Sequence, residues 1–99
     1  MYARIVTVHV QADKIDELIA VYRDAIVPAI TGQKGFLGAR LFTDRATGKG
    51  ISVTRWQTNE ALEDSLYQAQ LAKLAPLLTQ SPERELFEIS VDESGDSSQ

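Results

Sequence analysis

Residues 34 to 66, KGFLGARLFTDRATGKGISVTRWQTNEALEDSL, hold a strand, a turn, a second strand and the opening of a helix. Phe36 to Thr43 reads as the first strand and Ile51 to Gln57 as the second. The second closes on the chain's only tryptophan, Trp56. Between them Asp44 to Gly50 (DRATGKG) is rich in turn formers, so the pair reads as an antiparallel hairpin with a loop longer than two residues. Thr58 can cap the next helical region through its hydroxyl. That region runs from Asn59 to Leu78. Leu62, Leu66, Leu71, Leu74, Leu77 and Leu78 fall on or near its buried side. One straight stripe does not fit all of them, which predicts a break near Tyr67 to Gln70. Pro76 predicts a second irregularity.

Outward from this stretch, Tyr2 to Val10 (YARIVTVHV) is β-branched and alternating, a strand pattern. Asp13 is placed to cap a helix. From Lys14 to Thr31 the residues Ile15, Leu18, Ile19, Tyr22, Ile26 and Ile30 recur at spacings of three and four, one apolar stripe of an amphipathic helix. Pro28 should bend its last turn or end the regular helix just before itself. Glu83 to Val91 (ERELFEISV) reads as the last strand. Asp92 to Gln99 (DESGDSSQ) is polar and acidic and is expected to be a disordered tail. The organisation is one domain over residues 1–91 and a tail over 92–99. The order β-α-β-β-α-β is the ferredoxin-like, split βαβ pattern: an α+β fold with a four-stranded antiparallel sheet and both helices on one face.

Composition narrows the function classes. A net charge of −4, with the basic residues scattered, leaves no electrostatic footprint for nucleic acid. The absence of cysteine excludes disulfides and thiolate chemistry. A single histidine argues against a dedicated zinc site, so no metal is expected. No apolar run reaches the length of a membrane span, and the N-terminus does not read as a signal peptide. The expected location is the cytoplasm.

The strands are apolar on much of both faces. In the first strand Val6, Val8 and Val10 share one face, and Ala3, Ile5, Thr7 and His9 the other. In the second, Leu37, Ala39 and Leu41 oppose Phe36, Arg40 and Phe42. Two helices cover one face of a sheet. At 99 residues the chain has little else with which to cover the second. A second copy of the same sheet is the expected cover, giving a homodimer with the sheets face to face. A merely mixed face on a monomer is the alternative.

Lys-Gly-Phe-Leu-Gly at 34–38, the hairpin, Ser52-Val53-Thr54-Arg55-Trp56 and Asn59-Glu60-Ala61-Leu62, in this order, resemble the antibiotic biosynthesis monooxygenase (ABM) family. The resemblance covers nearly the whole chain apart from the tail. The family's loop usually reads Pro-Gly-Phe, and here Lys34 stands in place of that proline. Membership implies a dimeric α/β barrel and a pocket between sheet and helices. It implies activities such as cofactor-independent oxygenation of quinol-like or polyketide aromatics, haem degradation, or isomerisation of small molecules.

Cofactor-free oxygenation asks for a base, a dry pocket and a donor for a developing oxyanion. No cofactor is expected. His9 is the candidate base, since an imidazole titrates near neutrality; otherwise it is a partly exposed histidine near a strand end. Arg55, on the opposite strand face from Trp56, can hold an anionic oxygen or pair with a carboxylate, and Arg40 has the same two readings. Trp56 can stack on an aromatic ligand or anchor the core. Tyr22 and Tyr67 can each donate a hydroxyl into a cavity or simply pack. Leu66 belongs to the core or to the wall of a pocket. Haem-degrading relatives use a histidine ligand and a tryptophan on the helix after the third strand, plus a strand asparagine. Asn59 to Gln80 holds no histidine or tryptophan, and the chain's only asparagine is Asn59.

The leading reading is a dimer that oxygenates a small hydrophobic aromatic without a cofactor. An isomerase or decarboxylative enzyme acting on a small carbonyl compound is the second. A non-catalytic ligand-binding or dimerisation module is the third.

Overall fold

The computed structural model of the chain describes residues 1–58, 64–93 and 95; the side chains of residues 64–67 lie outside that description. The elements are β1 (Tyr2–His9), α1 (Ile15–Val21), α2 (Val27–Thr31), β2 (Phe36–Asp44), β3 (Lys49–Trp56), α3 (Asp64–Leu74) and β4 (Glu83–Glu88). A π-helical turn, Tyr22–Ile26, joins α1 to α2, so the two form one helical region. The sheet runs β2-β3-β1-β4, with every neighbouring pair antiparallel. This is the ferredoxin-like α+β fold.

Alternation along β1 separates the two sides of the sheet. Val6, Val8 and Val10 are buried and pack with Ile15, Leu18, Tyr22, Ile26 and Leu74. The helices therefore cover the side that carries the valines. Pairing carries the same side across β3, because Arg4, Val6 and Val8 stand opposite Thr54, Ser52 and Gly50. The other side carries Ile5, Thr7 and His9 of β1 opposite Val53, Ile51 and Lys49 of β3.

The hairpin loop is fastened to the end of β1. Val10 N–H donates to Gly48 O at 2.8 Å, and Gly48 N–H donates to Asp44 O at 2.9 Å. Asp44 Oδ1 accepts from Ala46 N–H at 2.9 Å. Gly48 has φ +82°, and a Cβ there would stand 1.9 Å from Val10 O. Both the left-handed backbone and the close approach require glycine.

Several local expectations are corrected. The first helical region does not stop at Pro28. It loosens earlier, into the π-helical turn where Val27 N–H reaches Tyr22 O, and Pro28 then sits at the start of α2. A proline has no N–H to give and crowds the preceding turn, and the wider turn relieves both. The break expected at Tyr67 to Gln70 is absent: α3 is continuous over Asp64–Leu74. The leucines need no break because Leu77 and Leu78 reach the core after a 3-10 turn, Ala75–Leu77, at the expected Pro76 irregularity. Asp13 caps no helix; it lies inside a 3-10 turn, Ala12–Lys14, closed by Lys14 N–H to Gln11 O at 2.8 Å.

Phe36 changes sides. The register slips between Phe36 and Gly38, so Phe36 pairs with Trp56 while Gly38 pairs with Arg55. The extra residue of this β-bulge turns Phe36 away from the face of Arg40 and Phe42. β4 is shorter than expected, ending at Glu88. The cap expected at Thr58 acts on residues 59–63, which lie outside the described residues. Of the expected tail, residues 92, 93 and 95 carry no regular structure, and 94 and 96–99 lie outside the described residues. Among the described residues, no helix is long and apolar enough to cross a membrane.

Candidate functional site

Between the covered face of the sheet and the helices lies a cavity of about 560 Å³ of empty space, part of which belongs to its open mouth. Val6, Val8 and Leu41 line it from the sheet. Leu18, Ile26 and Ile30 come from the first helical region, and Leu71 and Leu74 from α3. The wall is overwhelmingly apolar. The polar groups on it are Arg4, Tyr22, Ser52, Thr54 and Gln70, with Trp56 at the bulged end of the sheet.

Strand periodicity brings Arg4 here. It stands two residues before Val6 and shares its face. Arg4 is only 6% exposed, and its guanidinium carbon lies 5.8 Å from the centre of the Trp56 ring. That is a cation–π distance, and the low surrounding dielectric strengthens it. Among the described lining residues, Arg4 is the one charged group.

Trp56 is fully buried. Its indole N–H donates to Thr54 Oγ1 at 2.9 Å. Phe36 meets it edge-on, with ring centres 5.5 Å apart and planes at 74°. The bulge at the start of β2 therefore helps fix the aromatic wall.

Tyr22 sits at the first position of the π-helical turn. Its hydroxyl lies 2.9 Å from Ser52 Oγ and donates to Arg40 O at 3.4 Å. Burial pushes the phenol's pKa up, and the Ser52 hydrogen bond opposes that in part. The group stays a neutral hydroxyl through the physiological range. Gln70, on α3, is 8% exposed, and its Oε1 meets no hydrogen-bond donor among the described residues.

Of the residues singled out in the sequence, Tyr22 and Trp56 line this cavity together. Trp56 is also a core anchor, so its two readings coincide. His9 and Arg55 are not brought there. His9 lies on the uncovered side at the end of β1, with Nδ1 3.0 Å from Gln80 Nε2. Arg55 lies on the same uncovered side. Its guanidinium rests over Gly38, where a Cβ would stand 2.6 Å from Nη2, and its Nη1 is 3.9 Å from Asp92 Oδ2. The carboxylate partner weighed for Arg55 is thus present within one chain, as Asp92. Arg40 is exposed on β2. The side chains of Leu66 and Tyr67 lie outside the described residues.

Arg4, Ser52 and Gln70 were not foreseen as site residues. A signal for each existed. Arg4 interrupts the valine face of β1, and Gln70 stands four residues before Leu74 and seven before Leu77 on an otherwise leucine-rich side. Ser52 shares a strand face with Trp56. The chain's single histidine lies off the cavity, so these walls supply no imidazole to a haem iron.

A four-stranded sheet roofed by helices over an apolar cavity with a few buried polar groups defines a class: ferredoxin-like α+β domains with a pocket between sheet and helices. The sequence profile of the family described as antibiotic biosynthesis monooxygenase matches residues 1–77, and the chain belongs to that family. Solved structures share the fold. A monooxygenase from the ActVA-Orf6 gene of Streptomyces coelicolor, solved with nanaomycin D, superposes with a TM-score of 0.77 at 17% identity, covering 95% of this chain and 91% of that one. The haem degrader MhuD of Mycobacterium tuberculosis, solved with two haems bound, gives a TM-score of 0.73 at 23% identity, covering 95% and 100%. The uncharacterized protein Rv2557 of Mycobacterium tuberculosis is 40% identical over 65 residues, 66% of this chain and 29% of its own length. The chain thus spans less than a third of that curated relative.

Proposed function

We propose that the chain is a cofactor-independent monooxygenase acting on a small hydrophobic aromatic of the quinol or polyketide-like kind. The observation that carries this reading is the apolar cavity with the buried Arg4 guanidinium over Trp56. Such a wall accepts a flat aromatic, and the cation favours its ionised, electron-rich form. With Tyr22 donating to Ser52 Oγ, the Ser52 hydroxyl hydrogen is the one left to serve the developing oxyanion in a dry setting.

For an anthrone-like substrate the balance is simple. The reacting CH₂ loses a proton, and the carbanion reduces dioxygen and forms a C–O bond. The resulting hydroperoxide loses water to leave a carbonyl, so one CH₂ and one O₂ become one C=O and one H₂O. The base expected at His9 lies across the sheet, so the proton leaves through the open mouth to solvent water, and the Arg4 charge stabilises the anion left behind. Family membership supports oxygenase chemistry as the reading to test first.

We also propose that the uncovered sheet face is closed by a second copy. Ile5, Ile51, Val53, Phe42 and Phe87 have no helix over them, and Phe42 is 52% exposed. A layer of that character in water marks an interface.

The deciding experiment is oxygen uptake by the purified chain with a panel of hydroquinones and anthrones, without added metal or flavin. Uptake matched one-to-one by a product one oxygen atom richer than the substrate, with water and not hydrogen peroxide as co-product, supports the reading. Binding of the panel, seen as thermal stabilisation, with no uptake moves the assignment to the ligand-binding module.

A further inference from the structure

We propose that Gln70 selects the ligand: the cavity takes an aromatic that carries a hydroxyl hydrogen, donated to Gln70 Oε1. The proposal rests on the reading of the cavity as an aromatic site and deepens it to hydroxylated arenes. Gln70 is more than nine-tenths buried at 8% exposure, borders the cavity, and presents an acceptor oxygen that meets no donor. Two of the neighbouring donors are engaged elsewhere. The Trp56 N–H is given to Thr54, and the Tyr22 hydroxyl is held between Ser52 and the Arg40 carbonyl. Leu71 and Leu74, the other described α3 residues on the wall, have nothing to donate.

A buried acceptor without a donor destabilises the protein that carries it. A leucine here would continue the α3 stripe at no such penalty. Rotation about the terminal torsion of Gln70 turns its oxygen toward a guest, and an O–H on that guest removes the penalty. A guest offering an ether in the same place leaves the oxygen stranded and is disfavoured. The substrate so defined has at least one free phenolic O–H for Gln70. Arg4 and the Tyr22–Ser52 pair then act on a second oxygen.

The test uses the whole chain and two redox-quiet probes, 2-naphthol and 2-methoxynaphthalene, titrated by calorimetry. Wild type should prefer the naphthol by about 3- to 10-fold, the worth of one net hydrogen bond. Gln70→Met, close in volume, should abolish that preference while the thermal midpoint holds or rises. Gln70→Leu gives the same readout should the methionine variant fold poorly. A preference that survives both substitutions, or equal binding of the probes by wild type, overturns the role of Gln70 and leaves the cavity reading standing. Failure of both probes to bind wild type sinks the cavity reading and this proposal with it. Oxygen uptake plays no part in the titration, so a failed oxygenase assay and a failed donor test are told apart.

Discussion

The two faces of this sheet are built from the same four strands and are nearly equally apolar, yet they hold different kinds of space. On the covered face the valines of β1 meet the helices, and what remains between them is a cavity with an open mouth and with Arg4, Tyr22, Ser52 and Gln70 on its walls. On the other face Ile5, Ile51, Val53 and Phe42 have no helix over them among the described residues, and are edged by charges such as Lys49, Arg40 and Arg55. Polar groups sit in the middle of the first face and toward the rim of the second. A buried polar group in the middle of an apolar surface is costly unless it is used. Charge at the rim of an apolar patch is the ordinary anatomy of a protein contact. The difference is the one that the two proposals rest on: a small guest on the first face and a second copy on the other.

The contrast is broken most forcefully at Trp56. Trp56→Ala removes a fully buried ring that meets Phe36 and Arg4, and should cost about 3–5 kcal/mol in chemical denaturation. A loss below ~1 kcal/mol would mean that the aromatic wall is not structural. Next comes Arg4→Met, which keeps bulk and removes charge. It should cut oxygen uptake by roughly 100-fold or more, the scale seen when an oxyanion donor is deleted. Unchanged turnover would remove Arg4 from the chemistry.

On the uncovered face the expected effect changes kind. Val53→Lys combined with Phe42→Lys should leave the circular dichroism spectrum intact and turn a dimer into a monomer in sedimentation. Wild type that sediments as a monomer at micromolar concentration would show instead that the face needs no cover. The smallest effect concerns Tyr22. Its pKa is raised in the folded state by burial, so the folded chain holds this proton more tightly than the unfolded chain. The associated stability is fully present below the unfolded value near 10 and is lost as pH rises through the higher folded value. Tyr22→Phe should therefore flatten the alkaline decline in stability above about pH 10. Parallel curves for the two proteins would show that Tyr22 is not the group responsible.

Much of the fold was legible. The alternation of YARIVTVH, the stripe from Ile15 to Ile30 and the turn-rich DRATGKG each state a local preference, and local preference agrees with the final structure over most of the chain. The aromatic part of the site was legible too, because Trp56 and Tyr22 are large residues at predictable positions. The misreadings share a cause. Phe36 was assigned to the wrong side because one bulged residue reverses the alternation, and nothing in FLGARLFT announces a bulge. The helix through Tyr67 to Gln70 was broken in expectation because leucines belonging to the following turn were fitted to one stripe.

What the residues dictated unaided is the succession of elements and the apolar character of both sheet faces, since periodicity and turn chemistry are properties of neighbours along the backbone; the family came through the resemblance of its motifs and the matching family profile. What tertiary structure alone decided is which side of the sheet the helices take as their own. That choice buries Arg4 and Gln70 beside Tyr22 and leaves His9 and Arg55 outside. It depends on crossover handedness, strand register and a single bulge, and these bring together groups too far apart in sequence for any local pattern to record their meeting.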